Sequence, residues 1–344
     1  MRNIYKLLNI QHPIIQAPML GVTTPEMVAA ALRAGCLGSL PLGDADAETC
    51  AQKIRATQQL TDQPFAANIF VNDIPPISEA LKQQYDLVKK KLTELSTELE
   101  FEVEFPEIES IQPKGYPSQL PAIIASGCKV LSFTFGNLDK ASIDLLHQEG
   151  IVLIGTCNSL EEAIALERSG IDMICVQGIE AGGHRGTFQS NNIPMNAGFS
   201  LLQNVRAAVS CPLIYAGGIK DKRSIAALAA LGADGYQVGS LLICSKESAL
   251  QAFQKERVDR LKEAEIILTR SFSGRYARGI KNKFIDLFED SEFILPYPYQ
   301  NKLTQPFRAA AKKHLNHEWL SIWVGESFRD LSRDSTETIL KSLQ

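Results

Sequence analysis

The run Val176-Gln-Gly-Ile-Glu-Ala-Gly-Gly-His-Arg-Gly-Thr187 packs the residue types that chemistry needs into a short space. Gly182, Gly183 and Gly186 would be costly in a helix, so this is a shaped loop. It carries His184 and Arg185 towards whatever lies at its mouth. Histidine takes or holds a proton near working pH, although a lone histidine is also a common packed residue. The glycine frame, set directly behind an apolar run, favours a catalytic His184.

Two later runs, Tyr215-Ala-Gly-Gly-Ile219 and Tyr236-Gln-Val-Gly-Ser240, place Gly217, Gly218, Gly239 and Ser240 where backbone N–H groups suit a phosphate. Ordinary glycine turns are the alternative reading. In Gln16-Ala-Pro-Met-Leu-Gly21, small Ala17 and Gly21 would let a flat ligand approach the backbone, or simply form a tight turn. Asn68 stands among apolar residues and must hydrogen-bond, either within the core or to a ligand. Near the end, Arg275 and Arg278 offer charge for phosphate or carboxylate, or equally form a solvated basic loop, while Tyr297, Tyr299 and Lys302 are candidates to line a substrate pocket. Trp319 and Trp323 read as packing residues.

Other chemistry is poorly supported. The seven cysteines are scattered without a C-x-x-C pair, as in a protein of reduced thiols. His147, His314 and His317 have no companions that would make a metal site. No phosphate-binding G-x-x-x-x-G-K-[ST] or dinucleotide G-x-G-x-x-G is present. With 35 basic and 39 acidic residues the net charge is −4, which gives no basic field for nucleic acid or an anionic membrane. No apolar run approaches the ~18 residues of a membrane helix. The N-terminal stretch with Arg2 and Lys6 is interrupted by Asn9, Gln11 and His12, so it lacks a secretory core and the expected location is cytoplasmic.

The elements that must position these residues repeat regularly. Apolar runs at 13–17, 38–42, 65–71, 129–133, 152–155, 173–177, 213–216 and 236–239 read as strands buried on both faces. Helical patterns fall between them at 25–34, 47–59, 138–148, 160–169, 201–208 and 222–230. Thr24-Pro25-Glu26 marks a helix start, and Gly35, Gly170 and Gly232 mark helix ends. Eight strands with intervening crossovers in 344 residues predict an α/β fold, a (β/α)₈ barrel, with its site at the C-terminal strand ends. Residues 1–248 and 306–344 make the expected barrel. An insertion after strand three, 73–120, and a lid or cap segment after strand eight, 249–305, break the rhythm.

Taken together, Gln16-Ala-Pro-Met19, the stretch from Gln177 to Gly186, Ala216-Gly-Gly-Ile219, Gln237-Val-Gly-Ser240, Ser273-Gly-Arg275 and Ala277-Arg-Gly279 resemble the nitronate monooxygenase family of FMN-binding barrels. The resemblance covers nearly the whole chain, and FMN-dependent enoyl-acyl-carrier-protein reductases share part of it. It implies oxidation of alkyl nitronates such as propionate 3-nitronate by O₂ to a carbonyl compound and nitrite, with His184 catalytic. Met19, Gly21, Asn68 and Gln177 would then hold the flavin itself, Gly182, Gly217, Gly218, Gly239 and Ser240 its phosphate side, and Ala17 and Gln237 would also bind the cofactor. Tyr297, Tyr299 and Lys302 fall near the family's substrate-lining segment. No metal, nucleic acid or membrane is implied, and a monomer or homodimer is expected. The alternative on the same barrel is an NAD(P)H-dependent FMN reductase of enoyl thioesters or quinones. A flavin carrier and a flavin-free phosphate-sugar isomerase are further alternatives. Thr134, Val22, Val324 and Glu326 depart from the family pattern, with consequences for efficiency and substrate choice.

Overall fold

The computed structural model describes residues 4–344; Arg2 of the basic N-terminal stretch lies outside them. The barrel strands are β1 (Ile14–Gln16), β2 (Ser39–Gly43), β3 (Ala66–Phe70), β4 (Val130–Thr134), β5 (Val152–Cys157) and β6 (Met173–Gln177). Past the two-residue β7 (Gly183–His184) come β8 (Leu213–Ala216) and β9 (Gly235–Val238). The eight barrel strands run parallel in the order β1-β9-β8-β6-β5-β4-β3-β2. A bridge between Ile15 and Leu37 closes the ring, with Gln16 N–H donating to Leu37 O at 2.8 Å and Leu37 N–H to Ile14 O at 3.0 Å. The expected (β/α)₈ barrel is what forms.

Alternation along each strand explains why the runs look uniformly apolar. Outward residues such as Ala67, Leu131, Phe133, Leu153 and Val176 are buried in the core shared with the helices. Inward residues at the strand starts, Ala66, Val130, Ile154, Met173 and Ile214, pack with Ile4 and Leu8 of the N-terminal helix, which plugs the barrel floor. Further along the same inward row the residues turn polar, as Asn68, Ser132, Thr156 and Gln177. A polar row at the C-terminal end is what makes that end the site.

The caps follow the local signals. Thr24 accepts the Met27 N–H at 3.1 Å ahead of helix Pro25–Arg33, and Ser159 accepts the Glu162 N–H at 3.2 Å ahead of helix Leu160–Ser169. Gly170 ends the latter helix with φ +94°, a conformation other residues rarely adopt.

The two irregular segments meet over the polar end. The insertion supplies helix Glu79–Glu98, which buries Leu81, Tyr85, Val88 and Leu92, followed by an extended run. The late segment supplies β10 (Ile266–Thr269) and β11 (Ala277–Ile280). β11 pairs antiparallel with β10 and with β7, setting Ala277 against His184. Helix Tyr299–Lys313 runs through residue 305 and joins the late segment to the barrel. Among the described residues no helix is long and apolar enough to cross a membrane.

Candidate active site

The polar row opens into a cavity of about 1530 Å³. Asn68, Ser132, Thr134, Thr156 and Gln177 form its floor. Walls come from residues 17–22, 182–184, 216–219, Gln237, Gly239 and Ser240. Residues 104–107 and 110–114 of the insertion and Lys302 and Arg308 of the late helix complete the rim. Asn68, Gln177 and the flavin-side glycines Gly21, Gly182, Gly217, Gly218 and Gly239 all reach this cavity with Ala17, Met19, Gln237, Ser240 and His184, whereas Gly186 and Arg185 do not.

His184 is held from its backbone outward. β7 is pinned between β11 and the barrel, and the His184 carbonyl accepts Gln177 Nε2–H at 3.0 Å. Its ring stands edge-on to Phe135 at 5.7 Å, lies 5.5 Å from the Trp323 ring and places Nε2 2.8 Å from Ser273 Oγ. Burial, with the nearby Arg275 and Arg308 guanidinium groups, pushes its pKa down to about 3. The imidazole is therefore neutral at pH 7.

Arg185 does not join it. Neighbouring residues on an extended strand face opposite ways, and Arg185 turns inward. At 2% exposure it donates to Gly178 O at 2.7 Å and Gln177 O at 3.0 Å. Arg275 and Arg278, expected as anion binders, are also committed to the scaffold. Arg275 donates to Thr187 O at 2.6 Å and sits 4.2 Å from the Phe135 ring centroid. Arg278 pairs with Glu326 at 3.1 Å and donates to Ile179 O at 3.0 Å.

The floor residues differ in what they have left to give. Asn68 donates to Ser132 Oγ at 2.9 Å across the β3–β4 register, and among the described residues its amide oxygen has no protein donor. The Gln177 oxygen, by contrast, already accepts Gly186 N–H at 2.8 Å and Asn158 Nδ2–H at 2.9 Å. Gln177 braces the histidine loop, keeping one N–H for a ligand.

Glu162 anchors the same loop from behind. Only 6% exposed, its carboxylate accepts Asn158 N–H at 2.7 Å, Phe188 N–H at 2.9 Å and the Thr187 hydroxyl. Glu162→Ala strands three donors, and each unmet buried donor costs about 1–3 kcal/mol where water cannot replace the acceptor. The expected loss of stability is about 2–4 kcal/mol, read as a lower denaturant midpoint at constant m.

Opposite His184 lies a cradle of backbone. Among the described residues the N–H groups of Gly217, Gly218, Gly239 and Ser240 meet no protein acceptor. Gly217 and Gly218 adopt φ +132° and +64°, which turns successive amides towards one point. Glu180 lies beneath, its carboxylate held by the Tyr215 hydroxyl and by Gly198 N–H at 3.2 Å. Ser240 Oγ accepts Gly325 N–H at 2.9 Å, tying the cradle to the chain's final loop.

Of the late candidates, Lys302 reaches the cavity rim, ion-paired with Asp44 at 3.1 Å, but Tyr297 and Tyr299 do not line the cavity. Tyr297 packs its ring 6.2 Å from Phe70 and 6.0 Å from Phe135, and Tyr299 donates its hydroxyl to Pro75 O at 2.7 Å. Trp323, read as packing, forms part of the wall. No residue pattern pointed to Phe135, held at φ +80° with its N–H donating to Gly186 O at 3.1 Å. An unusual backbone torsion has no residue-type signature here. The departures are absorbed locally: Thr134 donates to Gly186 O at 3.3 Å, Val22 lines the cavity, Val324 is buried, and Glu326 pairs with Arg278.

The comparisons agree with this geometry. A family model described as nitronate monooxygenase matches residues 2–344. A probable nitronate monooxygenase of Staphylococcus saprophyticus is 36% identical, covering 98% of this chain and 95% of its own. One from Staphylococcus haemolyticus is 38% identical over 94% and 90%. Among solved structures, a nitroalkane oxidase from Streptomyces ansochromogenes superposes with a TM-score of 0.87 at 32% identity, covering 97% of this chain and 95% of that one. FabK from Thermotoga maritima, at 24% identity and a TM-score of 0.74 over 99% and 94%, shares the fold. With the barrel, the histidine loop and a match along almost its full length, the chain belongs to the nitronate monooxygenase family and is a flavin oxidoreductase.

Proposed function

We propose that the chain binds FMN and oxidises alkyl nitronates with O₂ to a carbonyl compound and nitrite. The observation that carries this reading is the pairing of a neutral His184 with four unmet backbone amides around one cavity. The residues fit the cofactor. Gly217, Gly218, Gly239 and Ser240 would hold its phosphate, Asn68 and the free Gln177 N–H its ring, and the cavity of about 1530 Å³ leaves room for a substrate beside it. When bound, FMN would accept an electron from the nitronate and pass it on to O₂. Two nitronates and one O₂ balance two carbonyl compounds and two nitrites.

The protein's own work is placement and charge. A neutral imidazole can take the carbon-bound proton of a neutral nitroalkane or donate to a nitronate oxygen. Among the described residues neither Arg275 nor Arg308 has a carboxylate partner, so the neighbourhood of His184 is net positive and favours an anion. An anionic substrate would also raise the basicity of His184 by offsetting those charges.

The purified protein is expected to be yellow and to release nitrite from propionate 3-nitronate in air without NAD(P)H. Full FMN occupancy with background nitrite would refute the reading, and rapid flavin bleaching by NADPH under argon would replace it with the reductase alternative. The pH dependence carries a sign. Because the His184 pKa is lowered from 6.5 to about 3, the ring is neutral above that value and protonates only as pH falls through it. The profile of kcat/KM for a preformed nitronate is therefore expected to show no step near 6.5 between about pH 5 and 8. Arg308→Met removes one of the charges that lower the pKa, and an acid limb should then move up towards that window.

A further inference from the structure

Which ring nitrogen of His184 carries the hydrogen decides what the ring can do, and the neighbouring group sets it. Nε2 lies 2.8 Å from Ser273 Oγ. A serine hydroxyl has one hydrogen, and Arg275 O, 3.1 Å away, is placed to accept that of Ser273. The Arg275 N–H reaches the same Oγ at 3.3 Å. With its hydrogen committed, Oγ meets Nε2 as an acceptor. If the hydroxyl donated to Nε2 instead, the Arg275 carbonyl would lose its one protein donor among the described residues, on a residue only 5% exposed.

Ser273 cannot easily turn away. Its N–H donates to Arg270 O at 3.2 Å, and Gly274 follows at φ +82°, where a Cβ would fall 2.2 Å from Leu295 O. The other ring nitrogen, Nδ1, has no protein partner among the described residues and belongs to a side chain on the cavity wall. We propose that Ser273 holds His184 as the Nε2–H tautomer, so that the Nδ1 lone pair is what meets the substrate. Ser273 is thus a positioning residue that acts through His184. The role given to Nδ1 rests on the proposed function, whereas the tautomer does not.

The test uses holoprotein carrying ¹⁵N-labelled histidine at pH 7, measured with and without flavin. Ring correlations separate a protonated nitrogen from a bare one, and with five histidines in the chain a His184→Gln difference spectrum assigns the signals. A bare Nδ1 and a protonated Nε2 are expected. Ser273→Ala should mix the tautomers and lower kcat on a neutral nitroalkane by about tenfold while changing a preformed nitronate by less than about twofold. Ser273→Thr, which keeps the hydroxyl, should restore the single tautomer. A protonated Nδ1 in the parent, or an unchanged tautomer in Ser273→Ala, overturns the proposal. The expected tautomer with no nitrite from either substrate supports it and overturns the proposed function alone.

Discussion

Replacing His184 by glutamine is expected to lower nitrite release from a neutral nitroalkane by about 10²–10⁴-fold, the usual worth of a positioned proton acceptor. Glutamine nearly fills the imidazole volume between Phe135 and Trp323 and still presents an amide to Ser273 Oγ, so the wall stays closed. The backbone pairing of β7 with β11 does not involve the side chain, and the cradle at Gly217, Gly218, Gly239 and Ser240 belongs to other loops. Flavin content should therefore remain near that of the parent. What is lost is the ability to take a proton from carbon. A preformed nitronate, which has already lost that proton, should fall by about tenfold or less, the change reflecting substrate placement alone at about 1.4 kcal/mol per tenfold. The two substrates measured side by side on one flavin-replete preparation decide the matter. Equal losses would mean that His184 serves orientation alone, and unchanged turnover of both would remove it from the chemistry.

The barrel was legible because its strands are buried on both faces and its helices are punctuated by caps and glycines. The rhythm of Gly35, Gly170 and Gly232 needs no tertiary information. The cavity followed from topology, since strand ends in a parallel barrel converge whatever their side chains. Pairings across the chain were not legible. β7 is a glycine and a histidine, with no strand pattern of its own, and it becomes a strand because β11 supplies a partner from 93 residues away by the Ala277–His184 register. For the same reason neither Ser273 nor Glu162 stands out by residue type, although each organises the histidine loop. Tyr297 and Tyr299 show the converse. An aromatic residue that packs and one that lines a pocket have the same letter, and only the fold decides between them. The arginines misled for a related reason: a guanidinium that appears free for an anion in sequence can instead satisfy buried carbonyls, as Arg185 and Arg275 do.

The cradle stands or falls on one backbone crossing, and Gly182→Ala is expected to break it. A Cβ there would lie 2.4 Å from Gly325 N, 2.6 Å from Val324 C and 3.0 Å from Val324 Cα, all main-chain atoms that no rotamer change can move. The crossing is also held by Glu326 N–H donating to Glu180 O at 3.0 Å and by Gly325 N–H donating to Ser240 Oγ at 2.9 Å. Prising the segments apart strains both bonds and shifts Ser240, whose own amide faces the cradle. Overpacking of this kind costs about 1–3 kcal/mol, or more where backbone must give. At about 1.4 kcal/mol per tenfold, flavin affinity should weaken by roughly 10–100-fold. Gly127→Ala is the matched control. Gly127 also has positive φ, at +71°, but a Cβ there meets nothing within 4 Å, and the residue is outside the cavity wall. It should cost about 1 kcal/mol of stability through backbone strain and leave flavin binding unchanged. Fluorescence titration of both variants with FMN, alongside their thermal midpoints, separates a local failure of the cradle from general loss of fold. A Gly182→Ala protein that binds flavin as tightly as the parent would show that the cradle does not need this contact, because the cofactor's grip would then be independent of the loop that Ser240 and Gly325 share.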